Sequence, residues 1–100
     1  MELDIIKKNE ETIVVIKGRV DTSAAPQLEK AVEELVAENT STLVFNCREM
    51  EYISSSGLRI FLGTHKKIIS NGGKFILEQL NKNVESVLQL TGFSNILTIR

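Results

Sequence analysis

Thr42-Leu43-Val44-Phe45-Asn46, then Ser54-Ser55-Ser56-Gly57-Leu58, then Lys74-Phe75-Ile76-Leu77-Glu78 follow one another through the middle of the chain. The first and last are five-residue runs with apolar centres rich in β-branched and aromatic side chains, too short for helices and suited to buried strands. Between them Leu58, Phe61/Leu62, His65 and Ile68/Ile69 recur at helical spacing. Asn71-Gly72-Gly73 ends that helix, because glycine supplies the positive φ needed just past a helix end. Residues 47–53 read as a loop. Strand, helix and strand in this order make a crossover unit and therefore parallel strands.

Toward the N-terminus, Leu3–Lys8 and Thr12–Lys17 are Ile- and Val-rich segments separated by Asn9-Glu10-Glu11, which predicts an opening β-hairpin. Gly18-Arg19-Val20-Asp21 leads into a first helix, with apolar residues at 24/25, 28, 31/32 and 35/36, ending near Ala37. Asp21, Thr22 or Ser23 is its expected cap, and Pro26 is tolerated because it falls in the first turn. Asn81 or Asn83 caps a third helix bearing Val84, Val87, Leu88 and Thr91 on one face; Gly92 closes it, and Ile96–Ile99 is a last strand. The expectation is one α/β domain over residues 1–100, β-β-α-β-α-β-α-β, with an opening hairpin, a mostly parallel sheet and packed helices.

Composition narrows the function. One hundred residues, 42% apolar, give a single core and leave little for a deep pocket. Net charge is −1 without blocks of like charge, which argues against nucleic acid and membrane surfaces as partners. The charge is uneven: residues 1–50 carry six basic and ten acidic residues, residues 51–100 six basic and three acidic. Such a dipole orients a domain on a charged partner. The N-terminus does not read as a signal peptide and no apolar run reaches the ~18 residues of a spanning helix, so a cytoplasmic location is expected. A lone Cys47, read as a small buried hydrophobe, excludes a disulfide and a multi-cysteine metal site. No cofactor, metal site or catalytic residue is expected.

The remaining chemistry lies in Ser54-Ser55-Ser56-Gly57. One serine suffices to cap a helix, contributing about 1 kcal/mol. Three before a glycine suggest an accessible hydroxyl where the helix dipole favours negative charge, so that a phosphoserine is accommodated. At 100° per residue, Leu62, His65 and Ile69 fall within about 40° of Leu58, and Phe61 about 60° away, as the expected core face. Ser56, Ile60, Gly63 and Lys67 fall opposite, about 140–200° round, and an apolar patch beside a helix-terminal serine suits a protein partner. His65, on the apolar face and some two and a half turns from Ser56, is placed as a core-edge residue rather than a base for a serine hydrolase.

Gly18-Arg19-Val20-Asp21, Val44-Phe45-Asn46, Tyr52-Ile53-Ser54-Ser55-Ser56-Gly57-Leu58, Gly72-Gly73-Lys74-Phe75 and Val87-Leu88-Gln89-Leu90-Thr91-Gly92-Phe93 together resemble the anti-sigma factor antagonists, bacterial members of the STAS domain family. The resemblance covers essentially the whole chain. It implies a switch protein and not an enzyme: unphosphorylated, it binds an anti-sigma factor that is also a serine kinase and so frees the sigma factor. The kinase modifies the serine before Gly-Leu, here Ser56, with Ser55 the second choice, and a PP2C-type phosphatase reverses the change. The implied partner surface comprises Asp21, Ser54, Ser55, Gly57, Ile60, Gly63 and Lys67. Many members carry Asp where Ser54 and Asn46 stand, a departure that implies slower phosphorylation or a shift to Ser55. A STAS module serving a transporter or signalling assembly without phosphotransfer is the alternative.

Overall fold

In the computed structural model, which describes residues 1–100, the opening hairpin forms from β1 (Glu2–Lys7) and β2 (Thr12–Val20), antiparallel, with the Lys8 N–H donating to the Glu11 carbonyl across the turn. Then come α1 (Ala25–Ala37), β3 (Thr42–Asn46), β4 (Met50–Ile53), α2 (Ser55–Ser70), β5 (Lys74–Glu78), α3 (Lys82–Thr91), a 3-10 turn (Phe93–Asn95) and β6 (Thr98–Ile99). The strand order is β1-β2-β3-β5-β6, with β4 paired to the far end of β2; every pairing after the hairpin is parallel. The α/β class, the hairpin and the parallel crossovers agree with expectation.

Four details differ. β4 occupies part of the expected loop, because Gly18, at φ +87°, lets β2 shift register and run on through Arg19 and Val20, offering Met50–Ile53 a ladder to join. Only Met50 and Ile53 of that strand are buried, so the segment carries no alternation to announce it. α1 begins at Ala25 without a side-chain cap; Asp21 caps the turn before it, accepting from the Ala24 N–H at 2.9 Å. The last strand is cut to Thr98–Ile99, since Phe93–Asn95 coil into the 3-10 turn whose carbonyl at Phe93 accepts from Ile96 and Leu97.

The fourth difference concerns α2, whose core stripe is Gly57, Leu58, Phe61, Thr64 and Ile68. Relative to the expected face it is rotated by about 70°: Ile69 is half exposed, and Leu62 and His65 lie at the core edge. Thr64 enters the core without an unpaired hydroxyl, because its Oγ1 donates to the Ile60 carbonyl one turn back. In α3, Asn81 is the cap, Val84 and Leu88 are buried, and Thr91 is exposed.

The helices cover one face of the sheet. Val14, Ile16, Leu43, Phe45, Phe75 and Leu77 alternate onto it and pack with Leu28, Val32 and Leu35 of α1, Phe61 and Ile68 of α2, and Val84 and Leu88 of α3. Phe45 meets Phe61 and Phe75 edge to face, with ring centroids 5.1 and 4.8 Å apart. On the other face Ile6, Ile13, Val44, Ile76 and Thr98 pair in one row across five strands. Arg100 bridges Glu78 at 2.7 Å and Glu11 at 3.2 Å on that side. No helix is long and apolar enough to cross a membrane.

Candidate functional site

The three serines have three different environments. Ser54 is the N-cap of α2: its backbone is extended and its Oγ accepts from the Gly57 N–H at 3.1 Å, one of the donors a helix start leaves without an intrahelical partner. It is buried, so its hydroxyl is consumed in starting the helix. Ser55 is exposed, and Ser56 is half-buried at the second helical position. The first turn of α2 carries no acidic residue, leaving the positive end of the helix dipole without a side-chain countercharge.

Gly57 lets the helix start sit close on the sheet. It faces inward, and a Cβ there would lie 2.8 Å from both Ile53 Cγ1 and Val20 Cγ1 and 3.3 Å from the Val20 carbonyl oxygen. Ser54 N–H donates to that same carbonyl at 2.8 Å. The helix start is therefore seated directly on the ends of β2 and β4, which fixes the height at which Ser55 and Ser56 stand above the sheet.

Ser56, Ile60, Gly63 and Lys67 share one side of α2, as the helical spacing predicts, but that side faces α1. With Thr22, Ala25, Pro26, Glu29 and Val32 from α1 and its approach, and Arg59 and Thr64 from α2, they line an open groove of about 390 Å³. Ile60 rests partly on the core, while nothing lies within 4 Å of a Cβ built on Gly63, so the groove is open at its middle. Among its lining residues Glu29, Arg59 and Lys67 are charged, and the chain's four ion pairs use none of them.

Asp21 immediately precedes Thr22, a lining residue of this groove, and does not itself line it. The Ser23 hydroxyl, 2.8 Å away, and then the Ala24 N–H hold its carboxyl below the usual carboxylate range. Across the serine cluster, Glu51, Tyr52, Ile53, Asn83, Val84 and Val87 line a smaller, more apolar groove, and the Arg19 guanidinium lies 4.3 Å from the Tyr52 ring centroid. Asn46 closes the turn after β3, accepting from the Arg48 N–H at 3.0 Å. Cys47 is buried, its thiol pushed up to about 12 by burial and secondarily by Glu78, which makes it inert at neutral pH. His65 does not line the groove, and its Nδ1 is buried without a partner.

The structure thus gathers Ser56, Ile60, Gly63 and Lys67, sets Asp21 and Ser55 nearby, and buries Ser54 and Gly57 beneath them. Thr22 and Pro26, expected only as helix-start residues, and Glu29 and Arg59 also line the groove. Their signal was absent because it lies in the docking of α1 beside α2, and Arg59 alone was findable, one turn after Ser56.

Comparison with known proteins follows the same lines. The STAS domain family model matches residues 2–100. An anti-sigma-B factor antagonist of Bacillus subtilis is 34% identical over 95 residues, covering 94% of this chain and 86% of the relative. An anti-sigma factor antagonist from Mycobacterium paratuberculosis superposes with a TM-score of 0.89 at 24% identity, over 98% of this chain and 83% of that one. The unphosphorylated form of the antagonist SpoIIAA gives 0.79 at 18% identity, over 99% and 87%. These two structures show the likeness of fold. With the family model spanning all but the first residue and a relative matched along nearly its whole length, the chain belongs to the STAS domain family.

Proposed function

We propose that this protein is an anti-sigma factor antagonist whose unphosphorylated form docks a serine-kinase anti-sigma factor over the start of α2, freeing the sigma factor, and that phosphorylation of Ser56 ends the interaction. The observation that carries this reading is the division of labour among the serines: Ser54 is bound in the cap, so Ser56 stands at the groove wall with its hydroxyl free of that duty. The Bacillus subtilis relative is an anti-sigma-B factor antagonist, and SpoIIAA, which shares the fold, has been solved in a phosphorylated form.

In the proposed transfer, Ser56 Oγ attacks the γ-phosphorus of ATP held by the kinase, its proton passes to a base on the kinase, and ADP leaves. A PP2C-type phosphatase returns the hydroxyl by hydrolysis, releasing inorganic phosphate. The antagonist itself supplies only the hydroxyl and its presentation. The phosphate adds about −1.5 to −2 charges, which the helix start tolerates but a docked apolar surface around Ile60 and Gly63 does not. Desolvating it there at a cost of ~4 kcal/mol lowers affinity about a thousandfold. Asp21, Ser55 and Lys67 complete the surface the partner covers, while Ser54 and Gly57 act by holding it in place.

Incubation with the cognate kinase and ATP tests the assignment. Intact-mass analysis is expected to show one added phosphate on the wild type and none on Ser56→Ala. A Ser56→Ala protein still modified, with the phosphate mapped to Ser55, overturns the choice of serine.

A further inference from the structure

We propose that Arg59 is the built-in countercharge of the phosphorylated form, pairing with the phosphate on Ser56 across one turn of α2; this rests on the reading of Ser56 as the modified residue. Ser56 and Arg59 stand three apart on the same helix and line the same groove, and residues at that spacing have Cβ atoms about 5–6 Å apart. Helical side chains lean toward the N-terminus, so Arg59 leans back over the turn that holds Ser56. The order is the favourable one for a helix, with the anion N-terminal to the cation.

Arg59 is also unclaimed. It takes part in none of the chain's four ion pairs and in none of its side-chain hydrogen bonds. Helix α2, Ser55–Ser70, contains no aspartate or glutamate at all, so no acidic neighbour on its own helix competes for the guanidinium. The charged groups facing the groove are Glu29 from α1 and Arg59 and Lys67 from α2. Lys67 is eleven residues from Ser56, about 16 Å along the axis, and Glu29 repels a phosphate. Arg59 is therefore the cation placed to receive it. The planar fork of its guanidinium suits bidentate contact with phosphate oxygens. Because Arg59 lines the surface the partner covers, phosphorylation both adds negative charge there and withdraws a cation from it.

The test installs phosphoserine at position 56 during translation, so that it does not depend on which serine a kinase selects. A phosphorus-31 NMR titration then reads the second ionisation of the phosphate, ordinarily near pKa ~6. The wild type is expected to titrate about 0.5 lower in pKa than Arg59→Gln, with Arg59→Lys keeping part of the difference and 1 M salt removing most of it. Titration of the wild type and Arg59→Gln at the same pH overturns the pairing while leaving Ser56 as the modified residue intact. A kinase that ignores Ser56 leaves the pairing standing and removes its physiological use.

Discussion

Substitution of Gly57 by alanine tests the seating of α2 most sharply, because two effects of known size oppose each other there. Alanine is the better helix former by about 1 kcal/mol in a helix interior, and less in the first turn. Against this, the added Cβ meets Ile53 Cγ1 and Val20 Cγ1 at 2.8 Å, with the Val20 carbonyl oxygen at 3.3 Å behind them. Val20 is fully buried and Ile53 nearly so, and both belong to strands that Ser54 ties to the helix start, so neither side chain can swing clear. Overpacking of this kind costs about 1–3 kcal/mol, and it wins. The expected net loss is about 1–2 kcal/mol, a fall in Tm of roughly 5–15 °C for a domain this size. Gly63→Ala supplies the control, since nothing lies within 4 Å of its added Cβ; it is expected to gain about 0.5–1 kcal/mol. Thermal unfolding followed by circular dichroism at 222 nm, with urea titration as a second measure, reads both. A Gly57→Ala protein as stable as Gly63→Ala would refute the close seating of α2 on β2 and β4.

Other expectations follow from the same geometry. Ser54→Ala leaves the Gly57 N–H without its acceptor and is expected to lower stability by about 1 kcal/mol in urea titration; an unchanged midpoint contradicts the capping role. Cys47, with its thiol pushed up to about 12, is expected to resist a disulfide reagent at pH 8 in the native protein and to react at once after denaturation; fast native labelling contradicts its burial. The unfolded thiol ionises near pH 9 while the folded one stays neutral, so the unfolded state holds fewer protons and stability falls as pH rises from about 9 toward 12, by up to ~1.4 kcal/mol per pH unit relative to Cys47→Ser. A wild type and a Cys47→Ser variant that lose stability in parallel over that range exclude the effect. Ser23→Ala removes the first cause of the low Asp21 carboxyl and is expected to raise its NMR-monitored pKa toward the ordinary aspartate value; an unmoved titration assigns the shift to the backbone instead.

The fold was legible where periodicity was strong. Strands β3 and β5, with three and two buried residues in five, and the Asn-Gly-Gly stop between α2 and β5 define the crossover from sequence. β4 was hidden because its pairing depends on the extension of β2 beyond Gly18, a tertiary fact with no local pattern. The rotation of α2 has a similar cause. Ile69 outranks Thr64 in hydrophobicity, yet Thr64 is the buried one, since the sheet and α1 together choose the face and the Ile60 carbonyl satisfies its hydroxyl. The serine cluster announced a helix start and an accessible hydroxyl. Which serine caps required the seating of the helix start on β2 and β4, and that Glu29 and Arg59 share the groove with Ser56 required the positions of α1 and α2 relative to one another.

Control of docking by a single hydroxyl at the start of α2 is read out by calorimetric titration of the cognate anti-sigma factor with this protein, carrying either serine or phosphoserine at position 56. Tight binding of the unmodified form and a loss of about a thousandfold, ~4 kcal/mol, in the modified form is the expected result. Equal affinities for the two forms would contradict it.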